Sequence, residues 1–446
     1  MTRTQLTGDL KMAGNKNCRV GVAQVDITPP LGSDLGGYHH RRLAREVRSR
    51  LYTKTMVIES NGKRIALVAN DICMLSDDIT YPAKDKISSS CGIPPEAVML
   101  SATHTHTGPA IDVVSGVPAT GLPFSPDPAY IKKLTENIAE GVSEACHSLF
   151  EAEIFCGQTQ AEGFSINKLC RTKNGKDVYD TRPMDGGKDG RIGFSGPLDN
   201  SVQVLCIKDT EKKIRAFAVN YACHPNSGPD VIWAEWPGEM AETISLVYGQ
   251  DVPCLLLQGT SGDVDCMLNL PHEQIGRGIA GAAIMAVEKE QNSSIVSPVD
   301  FRMKNIPMKL LSKTPETERM MNEIKQKKKK SLPEESWLKR YNGWNPGCTE
   351  INVPIQCLRM GQTAFVGLPG EIFTSIGLEI KKHSSAASTM VVELANTRVG
   401  YVPAMEQADR GGYGEWPFTN RLLLPEAASM MADTAIGMLW EMWDLG

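Results

Sequence analysis

Residues 97–109 read Ala-Val-Met-Leu-Ser-Ala-Thr-His-Thr-His-Thr-Gly-Pro, a short apolar run that passes into a histidine pair and stops at Gly108-Pro109. An apolar run of this length, bounded by turn formers, fits a buried strand. The pattern recurs: Arg64 to Asn70, Ile214 to Tyr221, Val252 to Gln258, Thr363 to Leu368 and Met390 to Leu394 are apolar and pass into polar residues. Between several of these runs lie helical patterns. Ile131, Leu134, Ile138 and Val142 recur at helical spacing, and Pro237 to Tyr248 and Ile372 to His383 read as helices. Strands separated by helices predict an α/β fold, a mixed sheet with flanking helices.

Chemistry collects where the runs end. The second run continues into Ala222-Cys223-His224-Pro225, the third into Gly259-Thr260-Ser261-Gly262-Asp263-Val264-Asp265, and the fourth into Pro369-Gly370-Glu371. Tyr401 follows the last run. In open α/β sheets, sites form outside the carboxyl ends of strands. On extended backbone His104 and His106, at i and i+2, project to the same side and both rings can face one site. A core histidine satisfied by its neighbours is the other reading of each imidazole. Two histidines, a carboxylate and an open position make a catalytic zinc site, which lowers the pKa of bound water to about 7. Serine catalysis fails, because G-x-S-x-G needs glycine where Asp263 stands. That loop reads instead as a tight turn with its N–H groups facing the site. Neither a P-loop nor a dinucleotide fingerprint occurs in the required context.

Composition removes other classes. With 41% hydrophobic and 22% charged residues the 446-residue chain is neither disordered nor collagenous. A net charge of −5 gives no overall positive field for a nucleic-acid partner. No apolar stretch reaches the roughly 18 residues of a membrane span, so no stable membrane insertion is expected. Met1 to Asn17 lacks the apolar core of a secretory signal and reads as a flexible tail (1–17) on a cytoplasmic protein. Twelve scattered cysteines without C-x-x-C read as small buried hydrophobes. Residues 18–446 are expected to form one domain, with 314–341, which holds Lys325 and Lys327 to Lys330, as a basic surface excursion. Trp233, Glu235, Trp236 and Trp416 line a substrate pocket or are structural. His39 and His40 sit on the site's rim or in a solvated basic turn with Arg41 and Arg42.

Taken in order, Gly21-Val22-Ala23-Gln24-Val25-Asp26-Ile27-Thr28-Pro29, Gly37-Tyr38, Ser101 to Pro109, Ile166-Asn167, Asn220 to Pro225, Gly262-Asp263-Val264, Leu368 to Glu371 and Gly400-Tyr401-Val402 form a set. In that set the sequence resembles the catalytic domain of the neutral/alkaline non-lysosomal ceramidases, a family of zinc amidases. The resemblance implies that fold, with one Zn2+ per chain held by His104, His224, Glu371 and Tyr401. It implies His106 as general base or substrate ligand, and Tyr413 as the donor to the developing oxyanion. Aromatic packing is the other reading of the two tyrosines. Two positions depart from the family. Lys168 replaces an arginine, for which Arg171 is a substitute, and Asp265 replaces a serine. Asn167, Lys168, Arg171, Asp263 and Asp265 are the substrate-binding candidates. Asn420 to Gly446 reads as a closing loop and helix, with no C-terminal Ig-like module expected. The expected function is zinc-dependent hydrolysis of an amide in a small polar or amphiphilic metabolite. An esterase or lactonase, or a non-catalytic binding protein, are the alternatives. A small-molecule partner and a possible homo-oligomer complete the expectation.

Overall fold

Nineteen strands carry the described part of the chain. They are β1 (Cys18–Asp26), β2 (Tyr52–Ser60), β3 (Lys63–Asn70), β4 (Val98–Ala102), β5 (Phe150–Gln160), β6 (Ser165–Asn167), β7 (Leu169–Thr172), β8 (Asp177–Tyr179), β9 (Arg191–Phe194), β10 (Ser201–Asp209), β11 (Ile214–Tyr221), β12 (Cys254–Gln258), β13 (Val264–Cys266), β14 (Val299–Lys309), β15 (Glu350–Met360), β16 (Thr363–Gly367), β17 (Glu371–Ile372), β18 (Ser388–Val392) and β19 (Tyr401–Val402). The helices are α1 (Asp77–Cys91), α2 (Pro128–His147), α3 (Glu235–Tyr248), α4 (His272–Glu288), α5 (Pro315–Gln326), α6 (Leu332–Gly343), α7 (Thr374–His383) and α8 (Ala427–Trp443). The computed structural model describes residues 18–111, 125–182, 184, 186–226, 228–249, 252–290, 293–294, 296–345, 347–408, 410–415, 418 and 421–443. The expected tail 1–17 and Trp416 lie outside the described residues.

Local sequence explains the connections. Asn61 and Gly62 join β2 to β3 with φ of 51° and 77°, the left-handed pair that a two-residue hairpin needs. α1 crosses from β3 to the parallel β4, α3 from β11 to the parallel β12, and α7 from β16 to the parallel β18. Each crossover sets two carboxyl ends side by side.

An eight-stranded sheet runs β12-β11-β10-β5-β1-β2-β3-β4, and a four-stranded sheet runs β14-β15-β16-β18. The large sheet is mixed, as predicted. Its middle seam is thin: β1 and β5 pair only at Arg19↔Glu151 and Val20↔Phe150. The sheet folds back there, and its edge strand β12 packs against β2, β3 and β4. β18 of the second sheet packs on β11 and β12, and Ser101 bridges Ala395. The ends of β4, β11, β12, β16 and β18 are thereby brought to one place.

The stretch 314–341 is not a bare excursion. Lys327, Lys328 and Lys329 are exposed, but α5 and α6 bury Met321, Ile324, Trp337 and Tyr341 in the second apolar core. Each helix starts with a capping box, Thr314 with Thr317 and Ser331 with Glu334, so the segment has two well-defined helix starts. Among the described residues no helix is long and apolar enough to cross a membrane.

One buried cation gives a stability prediction. Lys84 of α1 is buried with no hydrogen-bond partner for its Nζ, and burial pushes it down from 10.5 to about 7. Between those values the unfolded chain binds the proton that the folded chain lacks, so stability rises with pH from about 7 to about 10.5. Lys84→Met is expected to stabilise the protein at pH 7 by roughly 2–4 kcal/mol and to flatten that slope, read by urea unfolding at several pH values.

Candidate metal centre and active site

His104 follows β4, but the chain has already left extended backbone: its φ is +69°, in the left-handed region. The two imidazoles of the His-Thr-His block therefore converge through a turn, not through strand alternation as the i, i+2 spacing predicts. His104 Nδ1 lies 2.7 Å from the carbonyl of Cys73, and His224 Nδ1, at the end of β11, lies 3.1 Å from the carbonyl of Ser261. A carbonyl only accepts, so both Nδ1 atoms carry hydrogen and both Nε2 atoms present lone pairs.

Glu371 opens β17 and pairs in parallel with Tyr401 of β19. That approach needs Gly370: its φ is +111°, and a Cβ there would lie 2.5 Å from the carbonyl oxygen of Gly400. The His104 and His224 Nε2 atoms are 2.8 Å apart, and Glu371 Oε2 is 3.4 and 3.5 Å from them. Donors at about 2.0–2.1 Å from one tetrahedral zinc stand about 3.3 Å apart, so the two Glu371 spacings fit a shared cation, while the Nε2 pair is closer. All three side chains are buried. Three buried lone-pair donors facing one point favour a positive charge between them.

The electrostatics agree. Burial alone would raise the Glu371 carboxyl, but hydrogen bonds to His104 and His224 hold it well below the ordinary range. Burial also opposes charge on His104, yet Cys73 and Glu371 hold it well above its ordinary value. His224 is pushed down to about 4 by burial and by the Lys168 charge. The Glu371 carboxylate thus favours positive charge at the cluster. Burial and the Glu371 charge push the Tyr401 phenol well above its usual value.

His106 stands beside this cluster, with Nε2 3.4 Å from His104 Nε2 and its ring edge-on to that of His104. Gly37, at φ +89°, makes room for it, since a Cβ there would fall 2.6 Å from the imidazole Cγ. Behind it, Glu235 Oε2 accepts from the His106 backbone N–H at 2.6 Å and the Thr105 hydroxyl at 2.9 Å. Burial, with the charges of His104 and His224, pushes His106 well below its ordinary value, so its ring is neutral at pH 7.

Of the two readings of Trp233, Glu235 and Trp236, their burial fits the structural one. Glu235 is wholly buried behind the histidine turn, and Trp236 lies in the third core, edge-on to Tyr221. Trp233 donates to Glu239 and is covered by the Arg48 guanidinium. The turn at Gly259 to Asp263 also differs from expectation. The N–H groups of Gly259 and Gly262 go to the carbonyls of Tyr221 and Ile372, and what the loop offers the site is the Ser261 carbonyl.

The substrate-binding candidates separate into three groups. Asn167 donates to Asp263 at 2.8 Å, and Asp263 accepts from the Thr374 N–H and hydroxyl at the start of α7. These two residues are engaged with each other and with the fold. Arg171 is held by Asp177 and Ser195 in the small β8-β7-β9 sheet. Lys168 and Asp265, the two departures from the resemblance, are partners: Lys168 Nζ is 3.4 Å from Asp265 Oδ1 and 3.5 Å from the Tyr401 hydroxyl. Tyr179 and Asn226 also donate to Asp265, at 2.8 and 3.2 Å. Lys168 lies near the rings of both Tyr401 and Tyr413, and those two rings stand edge-on, 5.8 Å apart. Tyr413 thus joins the cluster's rim.

Residues 18–228 match the family model for the neutral/alkaline non-lysosomal ceramidase N-terminal domain. Two solved structures share the architecture. A neutral ceramidase from Pseudomonas aeruginosa superposes with a TM-score of 0.74 at 18% identity, over 95% of this chain and 74% of that one. A ceramidase complexed with C2 gives 0.76 at 17% identity, over 96% of this chain and 75% of that one. The fold is that of the two ceramidase structures, and residues 18–228 carry the ceramidase N-terminal signature. Neutral ceramidases A and B of Dictyostelium discoideum are 23% and 24% identical over 228 and 229 residues, 46% and 49% of this chain. The matched region spans only 28% and 30% of those curated relatives. The ceramidase signature covers His104, His106, Lys168 and His224, whereas Glu371, Tyr401 and Tyr413 lie beyond its matched residues.

Several supporting groups gave no usable signal in the sequence. Tyr179 and Asn226 sit in polar stretches, and the Cys73 and Ser261 carbonyls are backbone. Glu393 was visible as the charged residue in Met390 to Leu394. It accepts from the Ser261 hydroxyl at 2.6 Å and from the Ile372 N–H at 2.8 Å, tying the His224 loop to the Glu371 strand.

Proposed function

We propose that the chain is a zinc-dependent hydrolase that cleaves an N-acyl amide bond in a small polar or amphiphilic metabolite. The observation that carries this reading is the buried convergence of His104 Nε2, His224 Nε2 and Glu371 Oε2, with neutral His106 alongside. Nitrogen and oxygen donors in this number suit zinc, and Tyr401 is the fourth candidate ligand. The ion, when bound, supplies a Lewis acid for the carbonyl and an acidified water.

The remaining chemistry belongs to the chain. His106 takes the proton of the attacking water at Nε2 and returns it to the leaving amine. Tyr413 donates its hydroxyl hydrogen to the oxygen that gains charge. Lys168 keeps hydrogen-bonding capacity for a substrate acceptor: its contacts of 3.4 and 3.5 Å exceed the 2.7–2.9 Å of a charge-assisted hydrogen bond. Asp265, already accepting from Lys168, Tyr179 and Asn226, holds Lys168 and is not itself a substrate contact. The relatives are named for ceramide, an amphiphilic N-acyl amide, which supports the amide class for this chain.

Matched N-acyl amide and ester probes, offered to the zinc-loaded protein, test the bond assignment. Turnover of the amides is expected, and turnover of esters alone would overturn it. His106→Ala is expected to lower kcat by roughly 10²–10⁴-fold with zinc content unchanged. Loss of zinc from that variant would instead make His106 a ligand.

A further inference from the structure

His39, half-buried after the Gly37-Tyr38 turn, places its Nε2 2.9 Å from the Tyr413 hydroxyl, with the two rings edge-on at 78°. The pair joins residues 374 positions apart, and His39 has no part in the chemistry above. The Tyr413 ring is braced on two further sides, against Tyr401 at 5.8 Å and Tyr179 at 5.6 Å between centroids. Its ring is therefore fixed by packing, and His39 meets the hydroxyl.

A tyrosine hydroxyl has one hydrogen to donate. If His39 Nε2 accepts that hydrogen, Tyr413 has none for a substrate oxygen. If Nε2 carries the hydrogen and donates to the phenol oxygen, the hydroxyl hydrogen is left for the site. We infer that His39 is a positioning residue that acts through Tyr413: its Nε2–H tautomer donates to the phenol oxygen and turns the hydroxyl hydrogen toward the scissile carbonyl. This rests on the hydrolase reading, in which Tyr413 stabilises the oxyanion. Burial and the Arg340 charge push His39 down to about 4, so the imidazole is neutral and its tautomer is the variable. Glu371 and His40 are the other charged or titratable groups that act on it, besides its partner Tyr413.

Two measurements test the inference. The first needs no substrate: nitrogen-15 imidazole spectra of the full chain, with His39→Gln used to assign the signal. Protonated Nε2 on His39, with a shift of that signal in Tyr413→Phe, is expected. Protonated Nδ1 with bare Nε2 would overturn the inference. The second uses zinc-loaded protein and a fluorogenic N-acyl aminocoumarin. Glutamine and glutamate have the same shape, but only glutamine can donate. His39→Gln is expected to keep kcat within about threefold, while His39→Glu and His39→Ala lose roughly 10- to 100-fold with KM little changed. In a Tyr413→Phe background, His39→Ala is expected to add less than about twofold, because the two residues act as a unit. Equal activity of the glutamine and glutamate variants, or a full additive loss, would mean that His39 only fills space. Failure of the wild type to cleave any amide sinks the hydrolase reading, and the tautomer spectrum still decides the orientation.

Discussion

Glu371→Ala and His104→Ala purified beside the wild type are expected to hold less than about a tenth of its zinc, against about one ion per chain in the wild type. Each variant removes one of three buried donors whose atoms lie 2.8 to 3.5 Å apart. The same loss appears in stability. A ligand that binds only the folded chain stabilises it by about 2.7 kcal/mol at a free concentration of 100 times its Kd. Zinc should therefore raise the Tm of the wild type by several degrees and leave both variants unchanged. Circular dichroism separates a folded, metal-free variant from an unfolded one. Amide turnover by either variant is expected to fall more than about 10³-fold. Full zinc content in both would contradict the assigned ligands.

The second large effect concerns Lys168 and Asp265, whose side chains are both nearly inaccessible to water. Removing one member of a buried ion pair leaves the other charge uncompensated, at a cost of about 3–5 kcal/mol. The two losses should differ. Asp265→Ala strands the ammonium against the neutral phenols of Tyr401 and Tyr413 and is expected to cost the full amount. Lys168→Met leaves Asp265 with Tyr179 and Asn226 as donors and is expected to cost about half as much. The double variant should lose less than the sum, read from denaturant midpoints in a double-mutant cycle. Strict additivity would mean the pair does not interact. The pH dependence has a definite sign. Burial would raise Asp265, but Lys168 and His224 lower it below 3.8. Its contribution is present above the unfolded value of about 3.9 and lost as pH falls through the lower folded value, so Lys168→Met should unfold at higher pH on acidification.

Much of this architecture was readable from local pattern. The apolar runs became β3, β4, β11, β12, β16 and β18 within two residues at each end, and the predicted helices became α2, α3 and α7. Ligand-capable residues stood at run ends because parallel crossovers gather carboxyl ends. The folding back of the large sheet was not readable, since it depends on the two-residue seam between β1 and β5. Nor was the left-handed turn at His104, because residue type does not encode positive φ outside glycine and asparagine. Lys168 and Asp265 read as two separate departures, and only tertiary structure shows one contact across 97 positions. For Glu235 the sequence left pocket lining and a structural role open, and only the tertiary structure shows a buried carboxylate that accepts from the His106 N–H and the Thr105 hydroxyl behind the histidine turn.

The most direct measurement is turnover of an N-acyl amide by one preparation of the full chain as purified, after stripping by chelator, and after reloading with zinc. Activity should vanish on stripping and return on reloading, with circular dichroism showing a folded chain throughout. Full hydrolytic activity in the stripped, metal-free protein would contradict a metal-dependent hydrolase.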